Sequence, residues 1–155
     1  MQIIRQYWRI VFPIFFILLI WFFSSQNGAD SDTLSIGLAT KLGLTNGLIR
    51  KLAHVVLFSC LGYSVASFLK GLHPATFPDY TMVIFCVIFT AVYGAIDEVH
   101  QLTVSGRSAN FTDILIDSVA GLWGVLLYTA IFCFFRRWKI RRAQRLAATR
   151  HSTDV

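Results

Sequence analysis

Residues 114–135 read ILIDSVAGLWGVLLYTAIFCFF, and residues 136–142 read RRWKIRR. A helix needs about 20 mostly apolar residues to cross about 30 Å of hydrocarbon. This run is long enough, and Asp117 is its one charged residue. In water it would make an unusual core helix. In a bilayer it is stable, because a helix hydrogen-bonds its own backbone. The cations that follow it form the flank expected on the cytoplasmic side of a span.

Working outward, three more apolar stretches appear at about 7–25, which contains Pro13, at 52–69 and at 80–96. The second and third are marginal in length and need polar flanks or tilt to span. Composition agrees. The 155 residues are 55% hydrophobic and 14% charged, with 14 Phe, against about 25% charged in an ordinary soluble domain. Mean hydropathy is +0.62, and a chain this small has too little interior to hide so much apolar surface from water. A soluble enzyme, a disordered chain and a disulfide mini-protein are excluded. The expected fold is all-α: an integral membrane bundle of four transmembrane helices over 1–135, followed by a basic cytoplasmic tail, 136–155. The first stretch has the Arg5 and Arg9 prefix of a signal peptide. Ser24-Ser25-Gln26 is a poor cleavage site, however, and the run is long, so an uncleaved helix is the better reading.

Lys and Arg set the orientation. With both termini inside, the inner side holds Arg5, Arg9, Lys70 and the tail cations Arg136, Arg137, Lys139, Arg141, Arg142, Arg145 and Arg150. The outer side holds only Lys41, Arg50, Lys51 and Arg107, which satisfies the positive-inside rule. Loops 26–50 and 98–112 are then outside, and the short 70–79 loop with Pro74 and Pro78 is an inside turn. The basic tail follows a span directly, so it is read as touching anionic lipid, with no nucleic-acid partner. Cys60, Cys86 and Cys133 lie in apolar stretches without CxxC spacing and are small hydrophobes. Between Ser31 and Leu44, Leu34, Leu38 and Leu42 alternate with Ser31, Ser35 and Lys41. This weak amphipathic pattern suits a short surface helix or an ordinary loop.

Polar groups at the outer ends of the spans are the candidates for function, because ionisable side chains at membrane depth are costly. Arg50 and Lys51 open the second span, and His54 shares a helix face with Arg50. Snorkelling to water explains the two cations better than it explains His54. Asp97, Glu98, His100 and Gln101 close the third span as a compact acid–base or metal-like group; a polar helix end is the plainer alternative. Gly106 and Arg107 precede the fourth span, where Asp113 suits an N-cap or the first turn. Asp117 lies one turn deeper, where no cap explains it, and Arg107, His54 or Lys51 could be its partner. Gly121 and Gly124 allow close helix approach. The topology brings all three clusters to one membrane face as an outward-facing polar pocket.

Taken in order, Ser24-Ser25-Gln26 with Ser31 and Ser35, Arg50-Lys51-x-x-His54, Asp97-Glu98-x-His100-Gln101, Gly106-Arg107-Ser108, Asp113, Asp117, and Gly121 with Gly124 form a pattern. In this pattern the chain resembles the VanZ-like family of bacterial membrane proteins over about residues 20–128. Phe58 stands where the family commonly has tyrosine. Thr103-Val104-Ser105 replaces an aromatic-valine-proline run, and Asp117 often appears as asparagine. The resemblance implies a multi-pass protein of the bacterial cytoplasmic (inner) membrane, in a family whose founding member is linked to teicoplanin resistance.

Two readings of function follow. In the first, an envelope enzyme acts on or binds a lipid-linked or cell-wall precursor. His54, Asp97, Glu98, His100 and Asp117 supply catalysis, and Arg50, Lys51, Gln101 and Arg107 hold an anionic head group. In the second, a non-enzymatic binding or accessory protein uses the same groups as a structural network. A proton-coupled carrier ranks third, because the inner halves of the spans are apolar. A haem held by His54 and His100 ranks lower. The sequence names no metal, cofactor or oligomeric state.

Overall fold

The computed structural model describes residues 2–26, 36–37, 40–72, 80–107 and 110–153. Its long helices are α1 (Gln2–Ser24), α2 (Asn46–Leu72), α3 (Tyr80–Gln101) and α4 (Phe111–Thr153), and no strand occurs among the described residues. The all-α expectation therefore holds. Three helical segments are long and apolar enough to cross a membrane: Gly47–Leu72, Tyr80–Gln101 and Phe111–Leu146. The apolar part of α1, Arg9–Ser24, is shorter. The expected set of four spans is thus met for three helices by length and composition.

The helices overrun the apolar stretches that announce them. α2 starts at Asn46, α3 continues to Gln101, and α4 runs unbroken through the basic segment to Thr153. Its 43 residues make a rod of about 65 Å at 1.5 Å per residue. The polar clusters consequently sit on helix ends and inherit helical geometry. Residues 36–37 and 40–42 are also helical, with Thr40 Oγ1 donating to the Ile36 carbonyl at 2.8 Å, and Gly43 ends that turn at φ 66°. Ser31, Leu34, Ser35, Leu38, Pro74, Pro78 and Ser108 lie outside the described residues.

α2 packs most closely on α4, α1 lies against α2, and α3 lies against α4, with lesser contact of α3 to α2 and α1. Small residues make the α2–α4 seam. A Cβ on Gly62 would run into the Gly121 carbonyl, and one on Gly124 into the Ser59 carbonyl. A Cβ on Gly121 would meet the Thr90 side chain of α3. The close approach read for Gly121 and Gly124 is therefore present, with Gly62 and Ser59 as its other half.

Burial is inverted relative to a soluble domain. Phe12, Leu18, Ile88, Val119 and Trp123 are exposed, while Ser24, Thr90, Asp97, Glu98, Gln101 and Asp117 are buried. Exposed apolar area on this scale needs a lipid covering, and buried polar groups facing the bundle interior are the membrane pattern. Thr90 and Ser64 satisfy themselves by donating to the carbonyls of Cys86 and Leu61.

Candidate functional site

The last turn of α1, the first two turns of α2, the end of α3 and the start of α4 meet at one end of the bundle. Between them lies a cavity of about 290 Å³. α2 lines it with Gly47, Arg50, Lys51 and His54, and α3 with Glu98 and Gln101. The connection to α4 adds Gly106 and Arg107, and α4 itself adds Asn110, Asp113, Ile116 and Asp117. Arg50, Lys51, His54, Glu98, Gln101, Arg107 and Asp117 are thereby brought together. Asp97 and His100 lie outside the lining.

The deepest polar pair is His54 and Asp117, with Nδ1 and Oδ2 3.7 Å apart and side chains 20% and 1% exposed. That separation is longer than a hydrogen bond. Both Asp117 oxygens are buried without a hydrogen-bond partner. Phe58 is fully buried, and its ring lies nearly parallel to that of His54 with centroids 6.1 Å apart. Gly94 lets α3 come close here, since a Cβ on it would lie 3.3 Å from the Asp117 Cβ. Of the partners the sequence allowed for Asp117, the structure places His54 beside it and pairs Lys51 with Asp113 at 2.9 Å.

Helix-start chemistry orders the α4 side of the pocket. Asn110 Oδ1 accepts from the Thr112 N–H at 3.1 Å, as an N-cap does. The Asn110 N–H donates to Glu98 Oε2 at 2.7 Å, holding α3 to the start of α4. Asp113 is acidic in the first turn, where the helix dipole favours it.

Asp97 belongs to a separate network. Its Oδ2 accepts from Ser24 Oγ and from Gln101 Nε2, each at 2.8 Å. Gln101 Oε1 accepts from Arg107 Nη1 at 3.4 Å. Arg107 also donates through Nε to the Gln26 carbonyl at 3.1 Å and through Nη2 to the Phe23 carbonyl at 3.0 Å. A helix leaves its last carbonyls unpaired, and the Arg107 guanidinium serves the Phe23 carbonyl in the last turn of α1 together with the Gln26 carbonyl two residues beyond the helix. His100 stacks on Trp21 with centroids 3.8 Å apart, and its Nε2 lies 3.0 Å from Ser25 Oγ. His54 and His100 therefore do not share a pocket. Among the described residues, no group of three or more His, Cys, Asp or Glu is placed to hold a metal ion.

Sequence reasoning did not assign roles to Ser24, Trp21, Gly94 or Asn110. Asn110 had a signal, since an Asn three residues before an acid marks a helix start. Ser24 had a weaker one, as a hydroxyl closing an apolar run. Trp21 and Gly94 had none, because their partners are distant in the chain.

The pocket combines cations at its mouth, suited to phosphate or carboxylate, with an imidazole oriented beside a buried carboxylate, suited to moving a proton. The unpartnered oxygens of Asp117 ask for a hydroxyl or ammonium donor. Residues 9–135 of the chain match the family described as VanZ/LLP1. The chain has no match among the curated proteins or among the solved structures.

Proposed function

The chain belongs to the VanZ/LLP1 family, and on that premise we propose that it binds the head group of a lipid-linked or cell-wall precursor at the bacterial cytoplasmic membrane and carries out acid–base chemistry on it. The observation that carries this reading is the His54–Asp117 pair on the floor of a polar cavity whose lining includes Arg50, Lys51 and Arg107. The cations hold the anionic part of the head group. Asp117 accepts a hydroxyl or ammonium beside the His54 ring, and His54 takes or returns the proton. Glu98 sits across the pocket and limits how much negative charge the ligand brings.

In this reading α1 is the fourth span. All 23 of its residues cover about 34 Å, enough for a hydrocarbon core of about 30 Å. Both termini are then cytoplasmic, and the pocket opens to the outer side, as the Lys and Arg distribution favours.

Substrate trapping tests the proposal. Full-length wild type, His54→Ala and Lys51→Ala are purified from one host, and their retained lipids are weighed by native mass spectrometry with metal analysis. The expected result is a phosphate-bearing lipid held by His54→Ala, a different mass or none in the wild type, and loss of the lipid in Lys51→Ala. Identical retained masses in all three proteins would overturn it.

A further inference from the structure

A second cavity, of about 530 Å³, lies between α2 and α4. Val55 and Ser59 of α2 line it, with Leu115, Ile116, Val119, Ala120 and Trp123 of α4. Ile116 is also a wall of the polar pocket. On α2, Arg50 and Lys51 come first, then His54 and Val55. On α4, Asp113 comes first, then Leu115, Ile116 and Asp117 within one turn, so the groove starts beside the floor pair and runs past it. Ser59 and Trp123 lie about 6–10 Å beyond the floor pair at 1.5 Å per residue. The groove stops where Gly124 packs against the Ser59 backbone. It opens sideways, since Val119 and Trp123 are 66% and 63% exposed on the flank that faces hydrocarbon.

We infer that this groove seats the hydrocarbon chain of a phosphate-bearing membrane lipid whose head group occupies the polar pocket, so the ligand enters from within the bilayer and is held at both ends. The inference rests on the pocket's binding an anionic head group, and it adds a site for the tail. Lipid covers every apolar flank of a membrane bundle, so the groove alone says little. What singles it out is the junction. Ile116 makes the two cavities adjoin, and Asp117 stands there with two buried oxygens lacking a hydrogen-bond donor. A lipid that merely coats α4 would put no polar group at that point, and a soluble phosphate compound would have no use for the apolar groove. Cations in the lining, an acceptor at the floor and an apolar slot that starts beside the floor and runs past it match the phosphate, the hydroxyl or amine, and the chain of one amphiphile.

The test uses the full chain in nanodiscs containing phosphatidylglycerol with a diazirine near the end of one acyl chain. Glycerol 3-phosphate serves as the chainless head group. Val119→Trp fills the groove from an exposed position. Ile88→Trp, on the exposed face of α3, makes the same change elsewhere on the lipid-facing surface. The expected result is photolabel concentrated on residues 115–123, reduced about tenfold by Val119→Trp and unchanged by Ile88→Trp. Glycerol 3-phosphate binds in a Lys51-dependent manner but about tenfold or more weakly than the lipid. Label spread evenly over the lipid-facing helices, with glycerol 3-phosphate still bound, would overturn the tail seat and leave the head-group pocket standing. Even labelling with no glycerol 3-phosphate binding would overturn both. Equal affinity for lipid and glycerol 3-phosphate would overturn the tail seat alone.

Discussion

Ser24 and Asp97 are fully buried and joined by a 2.8 Å hydrogen bond from Ser24 Oγ to Asp97 Oδ2. Gln101 donates to the same oxygen, and Asp97 Oδ1 has no partner. An asparagine carbonyl could accept both bonds, with its amide nitrogen in the place of Oδ1. Asp97→Asn is therefore expected to fold and retain lipid like the wild type. Ser24→Ala leaves the carboxylate one donor short and should cost about 1–3 kcal/mol. Thermal unfolding in detergent measures both. A folded Asp97→Asn protein that had lost all lipid retention would show that Asp97 does more than tie α1 to α3.

Asp117 has the opposite profile. Its carboxylate is buried without a hydrogen-bond donor and has His54 at 3.7 Å, an arrangement that costs stability. Asp117→Asn removes the buried charge and is expected to raise stability by about 1 kcal/mol while abolishing the chemistry, as stability–activity trade-offs do at strained sites. The unfolding midpoint and the mass of the retained lipid together check this. Reduced stability with unchanged lipid mass would place Asp117 among the structural groups.

Arg107 reaches the Phe23 carbonyl of α1, the Gln26 carbonyl just beyond it and the Gln101 amide. A lysine has the charge without the planar fork. Arg107→Lys should therefore loosen the last turn of α1, raising amide hydrogen exchange around Ser25 and Gln26 about tenfold, equivalent to about 1.4 kcal/mol. Exchange in the middle of α2 should stay as it was. Equal exchange in variant and wild type at Ser25 and Gln26 would remove the latch role.

The helix seam is open to a paired comparison. Gly62→Ala drives a methyl group into the Gly121 carbonyl, whereas Gly37→Ala meets nothing within 4 Å. The first should destabilise by about 1–3 kcal/mol through overpacking. The second should be neutral or slightly stabilising, because alanine has less freedom in the unfolded chain. Detergent-resistant unfolding curves of the two variants settle the contrast.

Hydropathy made the helices legible because a bilayer imposes one requirement, an apolar run long enough to cross it. Their ends were less legible. Asn46–Arg50, Glu98–Gln101 and the stretch after Phe135 are helical though polar, since helix continuation depends on backbone and neighbours rather than on hydropathy. Seven of the named site residues line the pocket because they sit at corresponding ends of antiparallel helices, which topology alone supplies. The separation of Asp97 and His100 from it depends on helix rotation. Glu98 turns toward the start of α4, while Asp97 bonds Ser24 and His100 stacks on Trp21, both of α1. One residue along a helix is about 100° of rotation, and no pattern in a single sequence says which side receives a partner.

The α2–α4 seam also governs how this chain can change over generations. At Gly62, Gly121 and Gly124 even a methyl group collides with a neighbouring helix, so these positions have almost no neutral substitutions. At Phe12, Leu18, Phe22 and Ile88, which are exposed to lipid, any residue of similar oiliness serves. Most of the chain's mass can drift freely while a thin spine of glycines stays fixed. Lineages that share the fold would then diverge in overall resemblance far faster than in the spacing of these few small residues.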